Sequence, residues 1–296
     1  MTTRAEPKQI YSITARDRHV CPSRALSKET RQAALPLAGR SLKISTTMSR
    51  FKAEDIKPYD STAAKTGQVR DMFDSIAPAY DLMNRMMTFG IDCRWRRKAI
   101  DMVGKYNPSR LLDVATGTGD MAFLIDDMLH PDELTGIDLS EGMLDVARQK
   151  AAARGNAGHI TFETGDCLHL SFPDNRFDAV TVAYGVRNFE HLAQGFAEMY
   201  RVLAPGGVLC VIELSTPVHF PFRQLYKLYT YTIIPLVGRI VSRDAHAYTY
   251  LPRSVAAVVQ GEEMLALFAE AGFVHCRLRR LTFGACTIYM GEKALR

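Results

Sequence analysis

From residue 66 onward, apolar positions recur three and four apart. Val69, Met72, Phe73 and Ile76 would share one helix face until Pro78 breaks the run. Tyr80 to Met87 and Trp95 to Tyr106 repeat that spacing with Gly90 between them, so two more amphipathic helices are expected. After Pro108 the period changes. RLLDVA, ELTGID, HITFETGD, FDAVTVAYG and GGVLCVIEL read as strands, and MAFLIDDML, EGMLDVARQKAAAR and LAQGFAEMYRVL as the helices between them. GEEMLALFAEAG follows as a helix, and FVHCRLRRL and ACTIYMGE as two last strands. Strands alternating with helices at this interval build βαβ units on a parallel sheet. The expected fold is α/β and doubly wound: a mostly parallel seven-stranded sheet with helices on both faces.

Residues 218–250 interrupt that alternation after the fifth strand. They carry Tyr226, Tyr229, Tyr231, Tyr248 and Tyr250. Such a stripe fits an aromatic helix that completes the core, which is the commoner use, or an apolar lid over a greasy substrate.

Composition narrows the class. With 296 residues, 47% hydrophobic and 23% charged, the chain can bury a substantial core, which excludes collagen-like and disulfide-stapled architectures. A net charge of +5 permits an acidic partner or an anionic membrane surface without demanding nucleic acid. Cys21, Cys93, Cys167, Cys210, Cys276 and Cys286 form no C-x-x-C pair, so reduced thiols, a cytosolic protein and no metal site are expected. No stretch is long and apolar enough to span a membrane, and the N-terminus lacks a secretory apolar region. Residues 1–48 are basic, rich in Ser, Thr and Ala, and without apolar period. They read as a transit peptide or, in preference, as a disordered extension translated from an early start, with Met48 opening the domain. The expected plan is an extension at 1–48, a helical cap at 49–107, and the α/β body at 108–296.

The richest stretch is Leu111-Leu112-Asp113-Val114-Ala115-Thr116-Gly117-Thr118-Gly119-Asp120. A strand entering a glycine turn that opens a helix aims main-chain N–H groups at a ligand. The third glycine of a dinucleotide G-x-G-x-x-G is missing, because Asp120-Met121-Ala122 follows. Asp113 and Asp120 would repel a pyrophosphate but suit an ammonium and a sulfonium. Asp138 ends the second strand, where a carboxylate can accept from ribose hydroxyls, and Asp166 with Cys167 ends the third, beside an adenine. Asp113 alone could be a helix cap, and Asp138 with Ser140 and Glu141 a helix start. Together at successive strand ends they imply S-adenosylmethionine, with Asp113, Thr116, Gly117, Thr118, Gly119, Asp138, Asp166 and Cys167 as the candidate cofactor site.

Motifs beyond this loop carry a resemblance. FDSIAPAYDLMN (residues 73–84), FGID (89–92), Trp95-Arg96, YGVRN (184–188), YRVLAPGG (200–207) and Tyr248-Thr249-Tyr250-Leu251 with Ser254 resemble the menaquinone/ubiquinone biosynthesis C-methyltransferases, a branch of the Rossmann-like class I methyltransferases. The likeness runs from about Val69 to the C-terminus. Residues 56–81 lean toward the menaquinone-only members. Carried over residue by residue, it implies cofactor contacts at Thr118, Asp138, Asp166 and Cys167. Two departures stand out: Ala183 replaces a small polar residue, and Asp166-Cys167 replaces the usual Asn with a small neighbour.

The reaction so implied is methylation of a ring carbon of a demethylated polyprenyl naphthoquinol in menaquinone biosynthesis. The alternative is a polyprenyl benzoquinol on the ubiquinone route. Ring carbon is nucleophilic only in the reduced quinol, more so once a phenolic proton leaves. Arg187, Asn188 and Tyr184 are the candidate catalytic residues. Arginine rarely deprotonates, so Arg187 is expected to stabilise a phenolate rather than act as a base. The plain alternatives are that Arg187 pairs with an acid and Asn188 caps a helix at Phe189. Expected partners are the quinol, lipid at a membrane surface met peripherally through Arg223, Lys227, Arg239 and Arg243, and a second copy of the chain, with no nucleic acid. A quinone-binding scaffold without activity and a dinucleotide oxidoreductase are the other function classes; intact Thr118, Asp138 and Arg187 disfavour the first, the missing glycine the second.

Overall fold

The sheet runs β3-β2-β1-β4-β5-β7-β6. In chain order its strands are β1 Arg110–Val114, β2 Glu133–Asp138, β3 Ile160–Thr164, β4 Phe177–Ala183, β5 Leu203–Leu214, β6 Val274–Leu281 and β7 Cys286–Glu292. β1 to β5 pair in parallel, and β7 lies antiparallel between β5 and β6. This computed structural model describes residues 50–59, 62–155, 158–233 and 245–295, with the side chains of 245–248 excepted. The expected extension at 1–48, Arg239, Arg243 and the Tyr248 side chain lie outside the described residues.

Alternation along each strand fills two cores. Leu112, Val114, Val180, Val182, Leu209 and Val211 face a cluster completed by Phe196, Met199 and Phe268. Leu111, Ala179, Val208, Cys210 and Ile212 face the other, with Trp95, Ile100, Phe123 and Leu144. Helices therefore cover both faces, as the near-continuous apolar strands require. From β1 the chain moves toward β2 and β3, but from β4 it moves toward β5. Adjacent strands leaving in opposite directions open a crevice at their carboxyl ends.

Helices Lys65–Ile76, Tyr80–Thr88 and Ile91–Val103 precede the sheet. The third starts one turn before the expected Trp95, because Phe89 and Gly90 turn the chain with left-handed backbone (φ 51° and 71°). This region is tied to the loop after β4 by buried polar groups. The Lys65 ammonium donates to the carbonyls of Ala53 (2.6 Å), Phe189 (3.0 Å) and Arg187 (3.2 Å). Glu54 accepts from the Leu192 N–H at 3.0 Å, and Glu190 from the Thr66 N–H at 3.1 Å. After β5, helix Phe222–Leu228 leads into a wider turn at Tyr229–Ile233, and helix Ala245–Ala257 returns. The tyrosines of the aromatic insertion go to different places. Tyr250 packs in a core with Met72, Met83 and Met143, whereas Tyr226 and Tyr229 line a chamber.

Candidate active site

Ala115, Gly117 and Gly119 all take left-handed backbone (φ 53°, 58° and 82°) where β1 turns into helix Asp120–Leu129. The turn is pinned by Thr116 N–H to the Ile137 carbonyl (2.9 Å) and Gly119 N–H to the Thr116 carbonyl (3.0 Å). The two glycines serve different ends. A Cβ at Gly117 would meet open space, so its backbone faces the cleft bare. One at Gly119 would sit 2.8 Å from Phe123 and 3.0 Å from Phe162, so that position is kept small by packing.

A cleft of about 750 Å³ opens beside Gly117. Asp138, Leu139, Met143, Asp166, Cys167 and Leu168 form one wall, and Tyr184, Gly185 and Asn188 the other. Asp138 accepts from the Gly117 N–H at 2.8 Å and the Ser140 N–H at 2.9 Å. Burial raises its pKa, and the N–H groups of Ser140, Gly117 and Leu139 offset part of that rise. Ser140 also caps the next helix by accepting from Met143 N–H (3.1 Å), so the helix start read from the sequence lies at the edge of the cleft. Asp166 accepts from the Leu168 N–H at 2.9 Å, and burial pushes the Cys167 thiol up.

Asp113, Thr116, Thr118 and Gly119, expected to contact the cofactor, are not among the residues lining this cleft or the chamber next to it. Asp113 is turned inward, accepting from Thr181 (2.6 Å) and Thr116 (2.7 Å), and burial pushes its pKa up to about 6. It holds the loop from behind. Thr118 donates to Asp81 at 2.5 Å, and Lys150 bridges Asp81 (2.9 Å) to Asp120 (2.5 Å). Asp120, expected to face a cation of the ligand, thus has one from the protein.

The second cavity, of about 1000 Å³, is the chamber. Its wall is largely apolar: Met87, Phe89, Ile91, Trp95, Leu214, Tyr226, Tyr229 and Leu251. Tyr80 and Tyr184 belong to both cavities and mark where they adjoin. Arg187 lines the chamber, buried, with Nη1 2.8 Å from Glu213 and bonded to the Tyr184 carbonyl; its Nε is buried without a partner. Burial works to lower the Arg187 pKa, and Glu213 with Tyr80 and Tyr250 outweighs it, so the guanidinium stays charged. Asn188 is no helix cap: the next helix starts at Leu192, and the Asn188 side-chain Oδ1 accepts from the Tyr250 hydroxyl at 3.1 Å. Tyr184 holds a left-handed backbone (φ 61°), an arrangement that costs energy and gathers at working sites. Its hydroxyl is buried beside the Cys286 thiol with no partner in hydrogen-bond geometry.

Tyr80, Asp92 and Arg96 fall within the motifs at 73–84, 89–92 and Trp95-Arg96 but are given no role there, and Glu213 is not singled out by sequence. Asp92 and Arg96 stand four apart on a helix, a spacing that reads as a surface ion pair, yet their side chains are 3% and 6% exposed. Glu213 is the one acid near the end of strand β5, next to its last residue Leu214, and that lone acid was the available signal. Among the described residues, no cluster of His, Cys, Asp and Glu could hold a metal ion.

The cleft fits the expected cofactor by its chemistry. It offers the carboxylates of Asp138, Asp166 and Glu190, bare backbone at Gly117 and apolar side chains, with Arg70 as the one cation among its described lining residues, which suits a cationic nucleoside with a ribose diol better than a pyrophosphate. Comparison with known proteins agrees. The profile of the ubiE/COQ5 methyltransferase family matches residues 61–293. A demethylmenaquinone methyltransferase of Bacteroides fragilis is 49% identical over 243 residues, covering 82% of this chain and 99% of the relative. One from Porphyromonas gingivalis is 46% identical over 241 residues (81% and 98%). A ubiquinone/menaquinone biosynthesis C-methyltransferase of Geobacter sulfurreducens is 45% identical over 233 residues (78% and 91%). Among solved structures, an S-adenosylmethionine-dependent methyltransferase of Thermotoga maritima shares the fold, with TM-score 0.52 at 18% identity over 76% of this chain and 99% of its own.

Proposed function

The chain belongs to the ubiE/COQ5 methyltransferase family and is an S-adenosylmethionine-dependent methyltransferase; from that premise we propose that it methylates a ring carbon of a demethylmenaquinol, a 2-polyprenyl-1,4-naphthoquinol. The observation that carries this reading is the junction at Tyr80 and Tyr184 of a cleft holding Asp138, Asp166 and bare Gly117 backbone with a largely apolar, aromatic chamber. When bound, the cofactor supplies an electrophilic methyl group. Gly117, Asp138, Asp166 and Cys167 are the residues proposed to hold it, with Asp138 taking the ribose hydroxyls. Asp113, Thr116 and Thr118 brace them.

Arg187 is proposed as the residue that makes the acceptor carbon reactive. Its guanidinium is charged, desolvated and fixed by Glu213, so it meets a developing phenolate without reorganising. Removing water strengthens that attraction. The two alternatives for Arg187 therefore merge: its acid partner is what aims it. Tyr250 orients Asn188 at the same loop.

A polyprenyl tail needs an apolar route. Among the chamber's lining residues Phe89 is 77% exposed and packs against Tyr229; Phe283, 67% exposed and stacked on Phe222 at 3.7 Å, follows the lining residue Thr282 in the chain. Phe220, Leu225 and Leu228 lie exposed nearby in sequence, with Arg223 and Lys227 among them. This is an apolar rim with cations, the make-up of a surface that rests on anionic lipid. No described helix is long and apolar enough to cross a membrane, so the proposed contact is peripheral.

The benzoquinol alternative is tested directly. Purified enzyme should methylate a short-tailed demethylated naphthoquinol with kcat/KM at least about tenfold above the matching benzoquinol, a factor reached when one fused ring fills an apolar pocket. Preference for the benzoquinol would reverse the substrate assignment.

A further inference from the structure

The chamber holds a second arginine–carboxylate pair with no part in the account so far. Arg96 and Asp92 lie one turn apart on helix Ile91–Val103, almost wholly buried, and both line the apolar chamber. Such a pair adds little to stability, since removing two charges from water consumes most of their attraction. Arg96 is also underused. Nη1 meets Asp92, while Nε is buried without a partner. Asp92 is itself fixed by the Thr88 hydroxyl at 2.7 Å.

The resemblance to Arg187 is close. Each guanidinium has one buried carboxylate, Glu213 or Asp92, and each keeps an orphan buried N–H. Each also engages Tyr184, Arg187 through the backbone carbonyl and Arg96 by lying 5.0 Å over the ring. A 1,4-quinol carries two oxygens on opposite sides of its ring. Resting on the quinol reading above, we propose that Arg96 binds the acceptor hydroxyl remote from the reacting carbon, while Arg187 serves the adjacent one. The ring is then held at both oxygens and cannot rotate about its tail, and Asp92 positions Arg96.

The test is a two-by-two comparison of wild type and Arg96→Met on a short-tailed naphthoquinol and on the mono-hydroxy naphthol that keeps only the hydroxyl beside the reacting carbon. Wild type should show a KM about 100-fold lower for the diol, the worth of one charge-assisted hydrogen bond in a dry site. In Arg96→Met that preference should fall to near one, with the dissociation constant for S-adenosylmethionine within about twofold of wild type. An undiminished preference in Arg96→Met would overturn the proposal, as would equal losses on both acceptors. If Arg96→Met fails to bind S-adenosylmethionine, Arg96→Lys decides. It keeps a cation beside Asp92 without the planar fork, and should lose about tenfold of the preference; full retention would overturn the proposal. Wild type inactive on the diol would instead overturn the quinol reading itself.

Discussion

At the scale of single residues, two buried acids make sharp predictions. Glu213 is fixed by Arg187, so removing the arginine alone strands a buried charge. Arg187→Met should cost about 3–5 kcal/mol of stability, and adding Glu213→Gln should recover most of it. Turnover should stay down about 100-fold or more in both variants, since the phenolate has lost its counter-charge. Denaturant melts beside single-turnover rates check this; turnover that returns with stability would make Arg187 structural. Asp113 predicts a pH dependence. Its folded pKa of about 6 lies above the ordinary 3.8, so the folded state keeps a proton that the unfolded chain releases between those values. Stability contributed by Asp113 should therefore fall as pH rises through about 4 to 6, by roughly 3 kcal/mol, and stay lower above. Asp113→Asn should lack that slope in urea titrations across the window. A parallel slope in both proteins would contradict the assignment. Sequence located Asp113 but not its direction, and did not mark Glu213. Which way Asp113 points depends on Thr181, a residue of another strand that no local pattern connects to it.

At the scale of elements, the central strands were legible because both their faces are buried, which writes apolar runs bounded by turns, whereas the edge strands β3 and β6 are largely exposed. The cofactor loop was legible for a related reason, since left-handed backbone at Gly117 and Gly119 leaves few residue choices. The cap was less so. Lys65 is fully buried and holds three carbonyls, two of them in the loop carrying Arg187, and burial lowers its pKa to about 8. In sequence it is one lysine at a helix start, indistinguishable from a solvated one. Helix Ile91–Val103 shows the same limit: an Asp–Arg pair at four-residue spacing reads identically on a wet face and inside a chamber.

At the scale of the whole molecule, the two cavities and the apolar rim come from segments far apart in the chain, which is why none of them follows from local pattern. The rim yields a prediction for the assembly. The protein should sediment with anionic vesicles at low salt, and Phe89→Ser with Phe283→Ser should release most of it. Equal sedimentation of the double variant would remove the rim from membrane contact. The central claim is methyl transfer to a ring carbon of a reduced naphthoquinol where the cleft meets the chamber. It is tested most directly by incubating the protein with S-adenosylmethionine carrying an isotopic methyl group and a short-tailed demethylated naphthoquinone, with and without reductant, and locating the label by mass spectrometry. The account predicts label on the ring carbon in the reduced sample alone; label on oxygen, equal label in the oxidised sample, or none in either would contradict it.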